Sequence, residues 1–174
     1  MGQHASDEAD EQELIMRKLG IAVTVMGLTA LGLAVPATAA QATGTGALGA
    51  VCDSKWPGRD GYVRAWDGKD CSGTYLGGTE SWDSDWGNSS GPFQGSDANR
   101  ASSVMNSGFT GGRDVVAFYR LTGFDAPGGY NCLKAQELYV DDLSRNTYTN
   151  GQNMNNSISS HQWVNAGDCS RFMS

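Results

Sequence analysis

Two short strings concentrate neutral oxygen donors in this chain: "NNSISS" at residues 155–160 and "ANRASS" at 98–103. Amide and hydroxyl oxygens are hard ligands. Gathered with backbone carbonyls, they suit calcium, which takes six to eight oxygens and tolerates uncharged ones. The same residues also build ordinary turns, because Asn and Ser side chains bond readily to nearby backbone. The residue types alone leave both readings open.

Other chemistry has less to draw on. His161 is the only histidine after residue 4, the only glutamates after residue 40 are Glu80 and Glu137, and no Cys-x2-Cys pair exists. That leaves no evident catalytic triad, zinc site or metal-hydrolase set, and nothing singles out a carboxylate pair for glycoside cleavage. The chain is expected not to be an enzyme. "DSDWGNSSG" (83–91) fails as an EF-hand: Gly87 stands where a ligand belongs and Gln94 where the closing Glu belongs. Asp141 and Asp142 read as a strand-end turn rather than an acid/base pair.

The elements that must position these loops are short strands. The chain has 24 glycines in 174 residues and 18% charged residues, a turn-rich composition. "GYVRAW", "DVVAFYRL", "AQELYV" and "SHQWV" are the clearest strands, and no stretch holds a helical period. Trp66 and Trp163 read as core; Trp82 and Trp86 flank a polar Asp-rich loop and are candidate anchors for a protein or sugar partner, with core packing expected for at least one of them.

Residues 16–40, "MRKLGIAVTVMGLTALGLAVPATAA", have a basic start, an apolar run and an Ala-x-Ala site, the layout of a secretory signal peptide. The acidic stretch 1–15 does not suit that layout, and translation is expected to begin at Met16. Residues 41–50 read as a flexible linker and 51–174 as the folded domain. Losing the first 40 residues would take net charge from −7 to −4, with bases scattered singly. A secreted monomer is expected, with no nucleic-acid surface and no membrane attachment after cleavage. Cys52, Cys71, Cys132 and Cys169 imply two disulfides. Of three possible connectivities, the local one, Cys52–Cys71 with Cys132–Cys169, is preferred.

The chain also repeats itself. Trp82 and Tyr139, Asp85 and Asp142, Asn99 and Asn156, Ser102 and Ser159, and Ser103 and Ser160 are each 57 residues apart; Trp66 and Tyr119, and Cys71 and Phe124, are 53 apart. Four short strands per unit, twice, would make an all-β sandwich of two Greek keys, about 51–108 and 109–174.

With these motifs the chain resembles the βγ-crystallin superfamily, whose Greek keys carry aromatic-x4-aromatic-x-Gly in the first hairpin. Here Trp66 and Gly73 are in place with Cys71 at the second aromatic position; Tyr119 and Phe124 match, and Gly128 comes two residues late. Microbial members carry a calcium motif, Asn/Asp-Asn/Asp-x-x-Ser/Thr-Ser. "NNSISS" fits it throughout, and "ANRASS" departs only at Ala98. The resemblance implies calcium sites that each draw on both loops: hydroxyls of Ser102 and Ser159, carbonyls of Arg100 and Ser157, and Asn99 and Asn156 as shaping or ligating residues. It implies a structural role for Ser103 and Ser160, bonding to the folded-over hairpins.

The resemblance extends to secreted metalloproteinase inhibitors of crystallin-like fold, which implies inhibition of an extracellular protease through a rigid loop, with segments 68–73 and 122–132 as candidates. Killer-toxin-like antimicrobial or cell-wall-binding proteins, and plain calcium-stabilised modules, are the alternatives.

Overall fold

The computed structural model describes residues 48–174. The expected signal peptide, the acidic stretch before it and most of the linker lie outside those residues. Among the described residues, no helix is long and apolar enough to cross a membrane.

Seven strands form two antiparallel sheets: β1 (Val63–Trp66), β2 (Tyr75–Thr79), β3 (Ser103–Asn106), β4 (Val115–Tyr119), β5 (Tyr130–Leu133), β6 (Tyr139–Val140) and β7 (Ser160–Val164). The first sheet has the order β2-β1-β3-β6, the second β5-β4-β7. β6, from the second half of the chain, pairs with β3 of the first, Val104 opposite Val140. In return Asp83, from the first half, bridges His161 on β7. Each half therefore lends a segment to the other's sheet. This is a two-Greek-key sandwich, all-β and disulfide-bonded.

The apolar residues explain why the sheets close. All five residues of β4, "VVAFY", are buried because both faces are covered: Val116 and Phe118 lie in the core between the sheets, and Val115, Ala117 and Tyr119 pack with Cys132, Val164, Phe124 and Tyr130 on the other face. Val63, Ala65, Val104, Val116, Phe118 and Leu133 fill the space between the sheets, capped by Trp86, Phe93 and Ile158 from loops. Trp86 stacks on Phe93 with ring centroids 3.9 Å apart. Trp86 is thus core; Trp82, four residues earlier, is 60% exposed. Trp66 is buried and Trp163 half-buried.

Two local expectations are corrected. A six-residue helix, α1 (Ala50–Lys55), opens the described chain where linker and irregular structure were expected. Its own sequence is too short to hold a helix; tertiary anchors hold it. The Asp70 carboxylate accepts from the N–H of Val51 and Cys52, Cys52 is bonded to Cys71, and Lys55 Nζ donates to Cys71 O. "AQELYV" is not one strand: Ala135–Glu137 form a 3-10 turn, Leu138 takes a left-handed φ of 61°, and only Tyr139–Val140 pair. The second disulfide joins Cys132 to Cys169, tying the C-terminal segment to β5.

Candidate metal centre

Asn99 and Asn156 occupy equivalent points in the two polar loops, and both adopt left-handed backbone, φ 60° and 54°. Asn tolerates that conformation better than other non-glycine residues. Each loop then leans on the other. Asn99 N–H donates to Ile158 O at 2.8 Å, and Asn156 N–H to Ala101 O at 2.9 Å. The side chains cross in the same way. Ser159 Oγ donates to Asn99 Oδ1 at 3.2 Å, and Ser102 Oγ to Asn156 Oδ1 at 3.2 Å. Two oxygen pairs result, each with one member from either half of the molecule.

The serines are positioned by the strands behind them. Ser102 N–H donates to Trp66 O and Ser159 N–H to Tyr119 O, both at 2.9 Å. Ser103 and Ser160, next in line, are fully buried and hold the hairpins. Ser103 Oγ donates to Gly68 O at 2.7 Å and accepts from Cys71 N–H at 3.0 Å. Ser160 Oγ donates to Leu121 O at 2.7 Å and accepts from Phe124 N–H at 3.3 Å. Cys71 and Phe124 share a left-handed φ, 50° and 59°, which folds both hairpins over. A cysteine can therefore stand where the other half has an aromatic.

The donor set fits calcium as a site of neutral oxygens. Alongside each Asn–Ser pair, the carbonyls of Arg100 and Ser157 accept no hydrogen bond within the described residues. Asn155 Oδ1 is buried without a donor, at the motif position where the first loop has Ala98. Carboxylates do not join the set. Asp85 Oδ1 accepts from Gly87 N–H and Asp142 Oδ1 from Ser144 N–H, each at 2.9 Å, as turn-closing residues. Asp142 is partly desolvated, which raises its pKa, but bonds from Ser144 and Lys69 outweigh this and hold it below the usual carboxylate range. The Arg100 guanidinium is drawn aside to Asp67 at 2.7 Å. Among the described residues, no group of three or more His, Cys, Asp or Glu side chains could hold a metal.

His161 has a structural environment. It is fully buried; Nδ1 accepts from Trp86 Nε1 at 2.9 Å, and Nε2 faces Ser81 O at 3.3 Å. Those partners place the proton on Nε2, and burial pushes the imidazole pKa down to about 3. A neutral ring with both nitrogens occupied has no free atom for acid/base work.

Of the two loops first considered for a protease cleft, 68–73 packs beneath α1, with Cys71 buried and Asp70 bound to its backbone. The tip of 122–132 is open at Thr122, Gly123, Ala126 and Pro127. Sequence reasoning passed over a third loop, 107–114, with Phe109 65% exposed at its tip. "NSGFTGG" reads as a plain connection, and only the burial of Asn106 at its base reveals a built loop.

No family model and no curated protein matches the chain. Among solved structures, a beta gamma crystallin from Ciona intestinalis is similar, with a TM-score of 0.41 and 16% identity over 59% of this chain and 99% of that one.

Proposed function

We propose that the protein is a non-catalytic binding module, exported and braced by calcium. The reciprocal Asn99–Ser159 and Asn156–Ser102 pairs carry this reading. Each pair spans the two halves, so an ion held there would cross-link them. Asn99, Arg100 and Ser102 of one loop and Asn156, Ser157 and Ser159 of the other would supply two such sites, each drawing on both loops, through side-chain oxygens and the carbonyls of Arg100 and Ser157. Bound calcium would supply positive charge to oxygens that otherwise hydrogen-bond only each other. Export is supported by two disulfides, which persist in oxidising compartments, and by the signal-like stretch 16–40.

Thermal unfolding of the disulfide-intact protein in chelator and in millimolar calcium tests the proposal. Calcium is expected to raise Tm by several degrees, as any ligand selective for the folded state does, and Ser159→Ala should remove most of the rise. An identical Tm in both buffers would defeat it.

A second reading, inhibition of an extracellular metalloproteinase, is favoured by the loop 107–114. Asn106 clamps its base: Nδ2 donates to Asp114 O and Leu133 O, and Oδ1 accepts from Gly108 N–H. Arg59 donates to the carbonyls of Asn106 and Gly108, and Ser107 O accepts from the N–H of Asp60 and Gly61. A Cβ at Gly108 would lie 2.6 Å from the Trp163 ring, so glycine lets the backbone pass there. A pinned loop loses little ordering entropy on entering a cleft, and Phe109 offers it an apolar anchor. Titrating a thermolysin-like protease with the protein and with Phe109→Ala tests this: inhibition weakened tenfold or more in the variant supports it, and no inhibition at micromolar protein discards it.

A further inference from the structure

The two halves treat one equivalent position differently. Tyr139 is half-buried against the chain itself, its hydroxyl donating to Asp53 Oδ1 of α1 at 2.6 Å. Trp82, its counterpart 57 residues earlier, has no such cover and is 60% exposed. Its indole is nevertheless fixed, packed edge-on against Phe124 with centroids 5.9 Å apart and planes at 88°. An immobilised, largely exposed aromatic is a ready contact surface, since its ordering cost is already met in folding.

Trp82 forms one wall of a groove of about 390 Å³, with Ser81, Ser84, Asn88, Ser90 and Pro92 among its other walls. The groove has a fixed backbone. Asp83 exchanges backbone bonds with His161, Ser81 O faces His161 Nε2, and Ser84 O accepts from Gly123 N–H at 2.8 Å. Gly91 brings its backbone against Asp83, where a Cβ would lie 2.8 Å from Oδ2.

The chemistry of the walls selects the ligand. No Lys or Arg lines the groove, which disfavours phosphates, sulfates and uronic acids. The single carboxylate, Asp83, is engaged: Oδ1 accepts from Asp85 N–H and Oδ2 from Phe93 N–H. Asn88 Oδ1 is likewise engaged by Ser90. The Ser81 and Ser84 hydroxyls and Asn88 Nδ2 have no partner among the described residues and are left for a ligand. Trp82 and Pro92 are the only large apolar side chains that line it, which disfavours a lipid chain or a buried peptide anchor. One aromatic platform beside uncharged hydroxyl and amide groups matches a sugar ring, which has an apolar C–H face and a polar rim.

We propose that this groove is a subsite for a neutral polysaccharide: one pyranose lies on Trp82 and its hydroxyls bond to Ser81, Ser84 and Asn88. The inference rests on neither the calcium nor the inhibitor reading.

Calorimetry and tryptophan fluorescence with chitohexaose, cellohexaose and an oligogalacturonate test it on the full disulfide-bonded protein. At least one neutral hexasaccharide should bind, roughly millimolar or tighter, and perturb the fluorescence. Trp82→Ala should weaken binding at least tenfold with Tm unchanged. Trp82→Tyr should retain part of the affinity, and Ser84→Ala with Asn88→Ala should weaken it several-fold. Binding of neither neutral sugar, equal binding by Trp82→Ala, or preference for the acidic oligosaccharide would each overturn the proposal.

Discussion

Asp83 and His161 exchange two backbone hydrogen bonds, at 2.9 and 3.0 Å, in the place where the repeat sets Val140 against Val104. The two joints between the halves are thus equivalent in position and opposite in character. One is apolar. The other carries a buried carboxylate bonded to backbone N–H groups and a buried imidazole bonded to Trp86. The repeat persists in backbone pairing even where the side chains no longer match.

The polar joint makes stability pH-dependent. With the folded pKa of His161 near 3 and the unfolded value near 6.5, the unfolded state binds more protons between those limits. Stability is therefore full above about pH 6.5 and falls as pH drops toward 3, by on the order of 5 kcal/mol in total. Asp60, Asp67 and Asp142, whose pKa values are depressed, contribute losses only below their unfolded value of 3.8. The window from pH 6.5 to 4.5 thus isolates the histidine. Urea unfolding across it should show a clear slope in the native chain and a much flatter one in His161→Gln.

Calcium affinity should differ between the loops because Ala98 stands opposite Asn155 in the repeat. Calorimetry is expected to resolve a stronger and a weaker site. Ala98→Asn should strengthen the weaker by about five- to tenfold, the worth of roughly one additional polar contact. Asn155→Ala should bring the two closer together. Equal sites in the native chain would remove the role assigned to this position.

The tryptophans four residues apart should respond very differently to truncation. Trp86 is fully enclosed, stacked on Phe93 and bonded to His161, so Trp86→Ala should cost about 3–5 kcal/mol. Trp82→Ala, at an exposed site, should change stability by less than about 1 kcal/mol. Chemical denaturation of the two variants gives the comparison directly.

Much of this was legible in the sequence. β1, β4 and β7 announce themselves by composition, and the repeat announces the twofold arrangement of the loops. What was hidden depends on contacts between distant residues. α1 has too few residues for a period and is held by Asp70 and Cys71, which lie some 20 residues away. The spacing of Trp82 and Trp86 cannot say which turns inward; Phe93 and His161 decide it. Leu138 fits a strand by composition, yet its left-handed backbone ends one. Asn106 looks like any turn residue until its amide is seen joining Gly108, Asp114 and Leu133.

Asn106 supplies the last prediction. Its side chain is fully buried and makes three hydrogen bonds to backbone, two near the ends of the loop 107–114 and one to Leu133 on β5. Asn106→Ala would leave two carbonyls and an N–H inside the protein with fewer partners, at a cost of about 2–4 kcal/mol. Asn106→Asp is the sharper variant. It keeps the acceptor for Gly108 N–H but turns the donor facing Asp114 O and Leu133 O into a second acceptor. Hydrogen exchange should then speed up at Gly108 and Gly111, with the amides of β1 little affected below the global unfolding limit. Unchanged exchange in the loop would mean that Arg59 and Ser107 hold it without the Asn106 clamp.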